Sequence, residues 1–121
     1  MGYYGNQCHE TPILDRMFKA GMLFTNAYAS APVCSPYRAA FLTGQYPARV
    51  GILDYLRPNS ENGLSPDHLT LPEMFRNAGY ATGMIGKWHL KVNPTGFDFW
   101  QVLQGQGPYY NPAMNTAEGV K

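Results

Sequence analysis

Cysteine is scarce in this chain: Cys8 and Cys34 are the only two among 121 residues. Two cysteines cannot staple a small disulfide scaffold, and their spacing is not that of a zinc site. A single bridge between them stays open. No run of about 18 apolar residues occurs, so no membrane-spanning helix is expected. The opening "MGYYGNQCHE" has neither the basic start nor the apolar stretch of a signal peptide. Nine scattered Lys and Arg face eight Asp and Glu, for a net charge of +1. That balance leaves no basic stripe for nucleic acid and no acidic tail. The acidic residues are also isolated, with no Asp-Asp pair anywhere.

Turn formers are abundant instead. Thirteen glycines and ten prolines stand in a chain that is otherwise 45% hydrophobic, which describes one small globular unit rich in turns and loops. A helix–Gly–strand unit recurs. "TPILDRMFKAG" predicts a helix capped by Thr11, with Pro12 in its first position and Gly21 as a left-handed exit. "MLFTNAY" predicts a short strand after it. "TLPEMFRNAG" repeats the helix, with Thr70 and Glu73 spaced as a capping box and Gly79 as the stop, and leads into a strand, "YATGMIG". Helices feeding buried strands through single glycines predict an α/β fold with a mostly parallel sheet, in which ligands gather at the carboxyl ends of strands. Residues 54–67 are polar and read as a surface loop, and the chain from Lys91 onward reads as loop-rich. Two strands are too few for a self-sufficient doubly wound sheet, so the chain reads as incomplete.

Cys34 opens "CSPYRAAFLTG". Cys34 or Ser35 could cap a helix carrying Pro36 in its first turn and ending before Gly44. Cys34 would then meet the positive end of the helix dipole, with Arg38 one turn later, a corner suited to sulfate or phosphate. An inert buried thiol beside a surface arginine is the other reading. A thiolate phosphatase loop is excluded, because its arginine follows the cysteine by six positions and that position is Ala40. The second informative stretch is "GYATGMIGKWHL". If the strand stays extended past Gly86, Lys87 and His89 share one side and Trp88 takes the other, a cationic clamp with one titratable member. An edge lysine beside a structural histidine is the alternative.

Together the two stretches resemble the sulfatase family. "CSPYRAAFLTGQYPARVGI" is similar to its first motif, C-x-P-[ST]-R-x-x-x-L-T-G followed by Y-P-x-R-x-G, and "GYATGMIGKWHL" to its second, G-Y-x-T-x-x-x-G-K-W-H. "TPILDRMFKAGMLFTNAY" resembles the run that leads into the first motif, and "GFDFWQVLQGQGPYYNP" resembles members acting on sulfated sugars. The resemblance implies an alkaline-phosphatase-like three-layer α/β sandwich with a mostly parallel sheet, here truncated. Residues 1–121 would be part of the N-terminal catalytic domain, lacking its first metal-binding strand and its C-terminal remainder.

The resemblance also implies the chemistry. Cys34 would be converted to formylglycine by a formylglycine-generating enzyme, and one hydroxyl of its hydrate would attack the sulfur of a sulfate ester on a sulfated carbohydrate or aryl sulfate. Arg38 would orient the hydrate, Lys87 would neutralise sulfate oxygens, and His89 would handle a proton. Lys87 and His89 would also bind substrate, and Tyr109 and Tyr110 could line a sugar subsite or simply pack. The implied metal is Ca2+ in the full-length protein, and modified Cys34 would be its one ligand here, since the family's aspartate pair would fall just before Met1. The fragment alone is accordingly expected to be inactive. Two departures stand out: Tyr37 where the family has a small residue, and Gln45 where Arg is common. A phosphonate or phosphate monoester hydrolase of the same superfamily and a non-catalytic glycan-binding relic are the alternatives. Family members are periplasmic, secreted or lysosomal. Asp98, His9, His68 and Cys8 read as structural or surface residues.

Overall fold

In the computed structural model, which describes residues 1–121, the helices fall largely where proline and glycine punctuate the chain. They are α1 (Pro12–Ala20), α2 (Cys34–Thr43), α3 (Pro47–Val50) and α4 (Leu71–Asn77). Four strands follow: β1 (Gly83–Lys87), β2 (Phe99–Leu103), β3 (Met114–Thr116) and β4 (Gly119–Val120).

The expected terminators hold in two helices. Gly44, after α2, takes φ 66°, and its N–H donates to Ala40 O at 2.8 Å; Gly79, after α4, takes φ 86°. Before α4, the Glu73 carboxylate accepts from both the backbone N–H and the hydroxyl of Thr70, each at 2.7 Å. These bonds, the hydroxyl's first, hold the Glu73 carboxyl below its ordinary value.

The caps of α1 and α2 differ from expectation. Thr11 does not cap α1: its hydroxyl donates to Asp15 Oδ1 at 3.1 Å and accepts from Gly2 N–H at 2.8 Å. Gly21 leaves α1 extended, at φ −109°, not left-handed. Val33 precedes α2, so Cys34 is its first helical residue and neither Cys34 nor Ser35 caps it. Ser35 is completely buried, and its hydroxyl is drawn instead to partners outside the helix.

The α/β class is as expected, but the sheet is mixed where a mostly parallel one is predicted. Its order is β1-β2-β3-β4. Only β1 and β2 are parallel, from Gly83 opposite Phe99 to Lys87 opposite Leu103; β2–β3 and β3–β4 are antiparallel. Short connections decide this, since Ala117 and Glu118 alone join β3 to β4 and can only reverse the chain. Three of the four strands lie beyond Lys91, in the region read as loops. The predicted strand in 22–28 does not form, because no strand lies beside it to complete a ladder; Phe24 and Tyr28 are exposed.

Ala39, Val50, Ile52, Leu56, Leu64, Trp88, Leu90 and Val102 make the core. Leu56 and Leu64 come from the 54–67 segment, so that loop is a surface feature only in its polar residues. Asp98 ties α4 to the start of β1: it pairs with Arg76 at 3.0 Å and accepts from Thr82 N–H at 2.9 Å, the structural role expected of it. Leu90, with no exposed surface, follows His89 and packs beneath the turn that leaves β1. Leu90→Ala is expected to cost about 2–5 kcal/mol, read as a lower urea midpoint in the fluorescence of buried Trp88.

Candidate active site

Strand β1 ends at Lys87, and the chain then leaves extended geometry. His89 takes φ 56°, in the left-handed region where histidine is one of the more tolerated non-glycine residues. The expected alternation of Lys87 and His89 on one side of a continued strand therefore does not occur. Trp88 and Leu90 enter the core, and His89 is itself buried at 7% exposure.

His89 nevertheless reaches the start of α2. Its Nδ1 lies 3.3 Å from Cys34 Sγ, and its Nε2 lies 2.8 Å from Leu56 O. A carbonyl can only accept, so Nε2 carries the proton and Nδ1 presents its lone pair to the cysteine, whose S–H donates. The backbone beneath is held by Ser35, whose hydroxyl donates to His89 O at 3.0 Å and accepts from Leu56 N–H at 3.1 Å. Tyr55 flanks the imidazole with ring centroids 6.1 Å apart.

Arg38 and Lys87 meet through backbone and neighbours, not by pointing at Cys34. The Arg38 guanidinium donates to Lys87 O, which brings α2 onto the carboxyl end of β1. The Lys87 ammonium donates to the Gln106 side-chain oxygen. Gln106 in turn lines the cleft of 610 Å³ that opens over Cys34 and His89, with Tyr55, Arg57 and Lys91 on its other walls. Cys34 and His89 are thus in direct contact, with Arg38 and Lys87 around them.

Burial is the main reason the His89 pKa falls below its ordinary 6.5. The bond to Leu56 opposes the shift, and the charges of Lys87, Arg38 and Lys91 reinforce it. The same cationic surroundings make a poor cation cage. Calcium needs about six to eight oxygen ligands, mostly carboxylate and carbonyl. The cleft wall carries no carboxylate, and no three His, Cys, Asp or Glu residues are grouped to hold a metal ion. The residues of this chain do not fit calcium.

Tyr109 and Tyr110 are 99% and 90% exposed and stand outside the cleft lining. Cys8 and His9 are exposed, and both cysteines are free thiols, so the open Cys8–Cys34 bridge is not made. Ser35, expected only as a cap, and Leu56 and Gln106, which belong to neither motif, are also site residues. Ser35 carried one signal, a hydroxyl in an otherwise apolar first turn. Leu56 carried none, since it acts through its carbonyl. No helix is long and apolar enough to cross a membrane.

This is an α/β protein with a half-buried cysteine at a helix start, in contact with a neutral histidine in a cleft lined by arginine and lysine. The sulfatase family model matches residues 1–120, and the chain belongs to that family. It is 44% identical over 102 residues to steryl-sulfatase of Mus musculus, covering 79% of this chain. It is 42% identical over 115 residues to N-acetylglucosamine-6-O-sulfatase of Bacteroides thetaiotaomicron, covering 93%. The alignments take in 16% and 20% of those relatives, so the chain spans about a fifth of their length or less. A solved structure in complex with its substrate D-glucosamine-2-N,6-O-disulfate superposes with a TM-score of 0.84 at 36% identity, over 100% of this chain and 24% of the other.

The lowered His89 pKa sets a sign for the pH dependence of stability. Between 6.5 and the folded value, the unfolded chain binds a proton that the folded chain does not, so stability falls as pH drops through that window. The thermal midpoint should decline below pH 6.5, with a shallower slope in His89→Gln. Nitrogen NMR should find Nε2 protonated at pH 7; an imidazolium at pH 7 would contradict the geometry.

Proposed function

We propose that this chain forms part of the catalytic domain of a sulfuric ester hydrolase acting on sulfated sugars, with residue 34 as the nucleophile after conversion of Cys34 to formylglycine. The observation that carries this reading is the 3.3 Å approach of Cys34 Sγ to His89 Nδ1, with the opposite ring nitrogen tied to Leu56 O. Family membership supports formylglycine chemistry in general, and the half-buried Cys34 at the mouth of an open cleft suits a side chain that must first meet a modifying enzyme.

As a hydrated aldehyde, residue 34 would supply a hydroxyl oxygen to attack the sulfur of the ester; the bond from sulfur to the sugar oxygen breaks and the sugar leaves as its alcohol. Loss of a proton from the second hydroxyl would then expel sulfate and restore the aldehyde. His89 Nδ1 is the base within reach of the residue 34 side chain, and a neutral ring with its lone pair aimed there can accept a proton directly. The hydrogen bond to Leu56 O keeps the ring from turning away. Residue 34 stands at the positive end of the α2 dipole, which favours negative charge beside it. Arg38 and Lys87 supply fixed positive charge around the transferring group, and preorganised charge of this kind is usually the largest single catalytic contribution. Arg38 does so while bound to Lys87 O, so its position depends on the end of β1. The sugar preference follows the names of the relatives, two of which act on N-acetylated hexosamine 6-sulfates.

The test is turnover of 4-nitrophenyl sulfate by the full-length protein, with mass spectrometry of the Cys34 peptide. The peptide should carry an aldehyde in place of the thiol, and Cys34→Ala should abolish turnover. His89→Ala should lower kcat by about 10²–10⁴-fold, and Arg38→Ala by about 10²–10³-fold. An unmodified thiol in fully active protein would overturn the proposal.

A further inference from the structure

We propose that Arg57 and Lys91 form a second anion subsite on the rim of the same cleft, taking an additional sulfate or carboxylate carried by the substrate. This rests on the sulfate-ester reading and narrows it to polyanionic sugars.

Both residues line the cleft that holds Cys34 and His89, and neither belongs to the motifs that place those two. Two separate chain segments bring them together. Arg57 begins a closed turn in which its N–H donates to Ser60 Oγ at 2.8 Å and its carbonyl accepts from Ser60 N–H at 2.9 Å. Its guanidinium carbon stands 5.8 Å from the centroid of the Tyr55 ring, a cation–π contact that leaves the N–H donors uncommitted.

Lys91 sits in a left-handed turn at φ 67° that its neighbours clamp. Leu90 O accepts from Leu64 N–H at 3.1 Å and from Val92 N–H at 2.9 Å, and Trp88 Nε1–H donates to Val92 O at 2.6 Å. Gly63 lies against the same turn: a Cβ there would meet Leu90 O at 2.8 Å and Lys91 Cβ at 2.9 Å, so only glycine fits. From this fixed base the Lys91 ammonium donates to Pro58 O at 2.6 Å, which sets it beside the residue that follows Arg57. Two of its three N–H donors remain.

Charge makes the case for an anion. The protein's carboxylate pairs are Arg76–Asp98 and Lys121–Glu118, so neither Arg57 nor Lys91 has an acidic partner. Unpaired surface cations are common and by themselves mean little. These two differ in lining one cleft that holds no carboxylate at all, with the Lys91 ammonium held at the residue next to Arg57. Like charges brought together without a counter-ion are repulsive in the free protein, and a ligand with two oxyanions relieves that repulsion. Arg57 offers a planar fork for a sulfate or carboxylate, and Lys91 a point charge on the same group.

Titration calorimetry of the full-length protein in a Cys34→Ala background reads affinity without turnover. Glucosamine 2-N,6-O-disulfate should bind about tenfold tighter than glucosamine 6-sulfate, the range of one charge-assisted hydrogen-bond pair. R57A/K91A should remove most of that difference, while R57K/K91R should keep it; both side chains are exposed, and matched circular dichroism checks the fold. A disaccharide joining glucosamine 6-sulfate to a uronate tells whether a carboxylate fills the subsite as well. Equal affinity for the mono- and disulfated sugars, or a gain that survives R57A/K91A, would overturn the subsite. Turnover of 4-nitrophenyl sulfate by unsubstituted protein is read separately: its absence sinks the hydrolase reading, while the binding difference still decides the subsite.

Discussion

Three hydrogen bonds among Ser35, Leu56 and His89 hold the site together. Ser35 Oγ accepts from Leu56 N–H and donates to His89 O, and His89 Nε2–H donates to Leu56 O. They close a ring across three segments separated by 21, 33 and 54 positions in the chain. All three residues are buried, so a donor or acceptor left unmade here would cost about 1–3 kcal/mol with no water to compensate. The ring spans the start of α2, the loop before α4 and the turn after β1. Cys34, Lys87 and Lys91 stand on those same segments and take their positions from it.

The ring also sets the state of the imidazole. Committing Nε2–H to a carbonyl leaves Nδ1 as an acceptor facing Cys34, and burial among Lys87, Arg38 and Lys91 keeps the ring neutral. Neutral histidine in a positive field is consistent with a site built for an anion: the fixed charge comes from lysine and arginine, and the titratable group is left free to accept a proton. Apart from the positive φ at His89 and Lys91, this costs little strain, and the backbone bonds of the 88–92 turn stabilise both.

Much of the helical content was legible because its signals are local. Proline in the first turn, glycine with a positive φ after the last, and the Thr70–Glu73 pair act within four or five residues of one another. The strands were less legible. The "MLFTNAY" pattern is a good strand sequence without a partner, and β3 and β4 are too short to show any period. Pairing is a property of two segments, and neither segment reports on the other. The cap of α2 failed for a related reason: Ser35 prefers by sequence to bond its own helix, but burial against Leu56 and His89 offered its hydroxyl better partners.

Sequence by itself determined the residue types and their order: a cysteine, proline and arginine at one helix start, a lysine and histidine after one strand, and with them the family. Tertiary structure alone decided that His89 meets Cys34 through a left-handed turn and not along a continued strand, that Arg38 binds the Lys87 carbonyl, and that Arg57 and Lys91 line one cleft. The reason is physical: local patterns encode backbone preference over a few residues, whereas a contact between positions 34 and 89 exists only once burial has chosen which polar groups must satisfy each other.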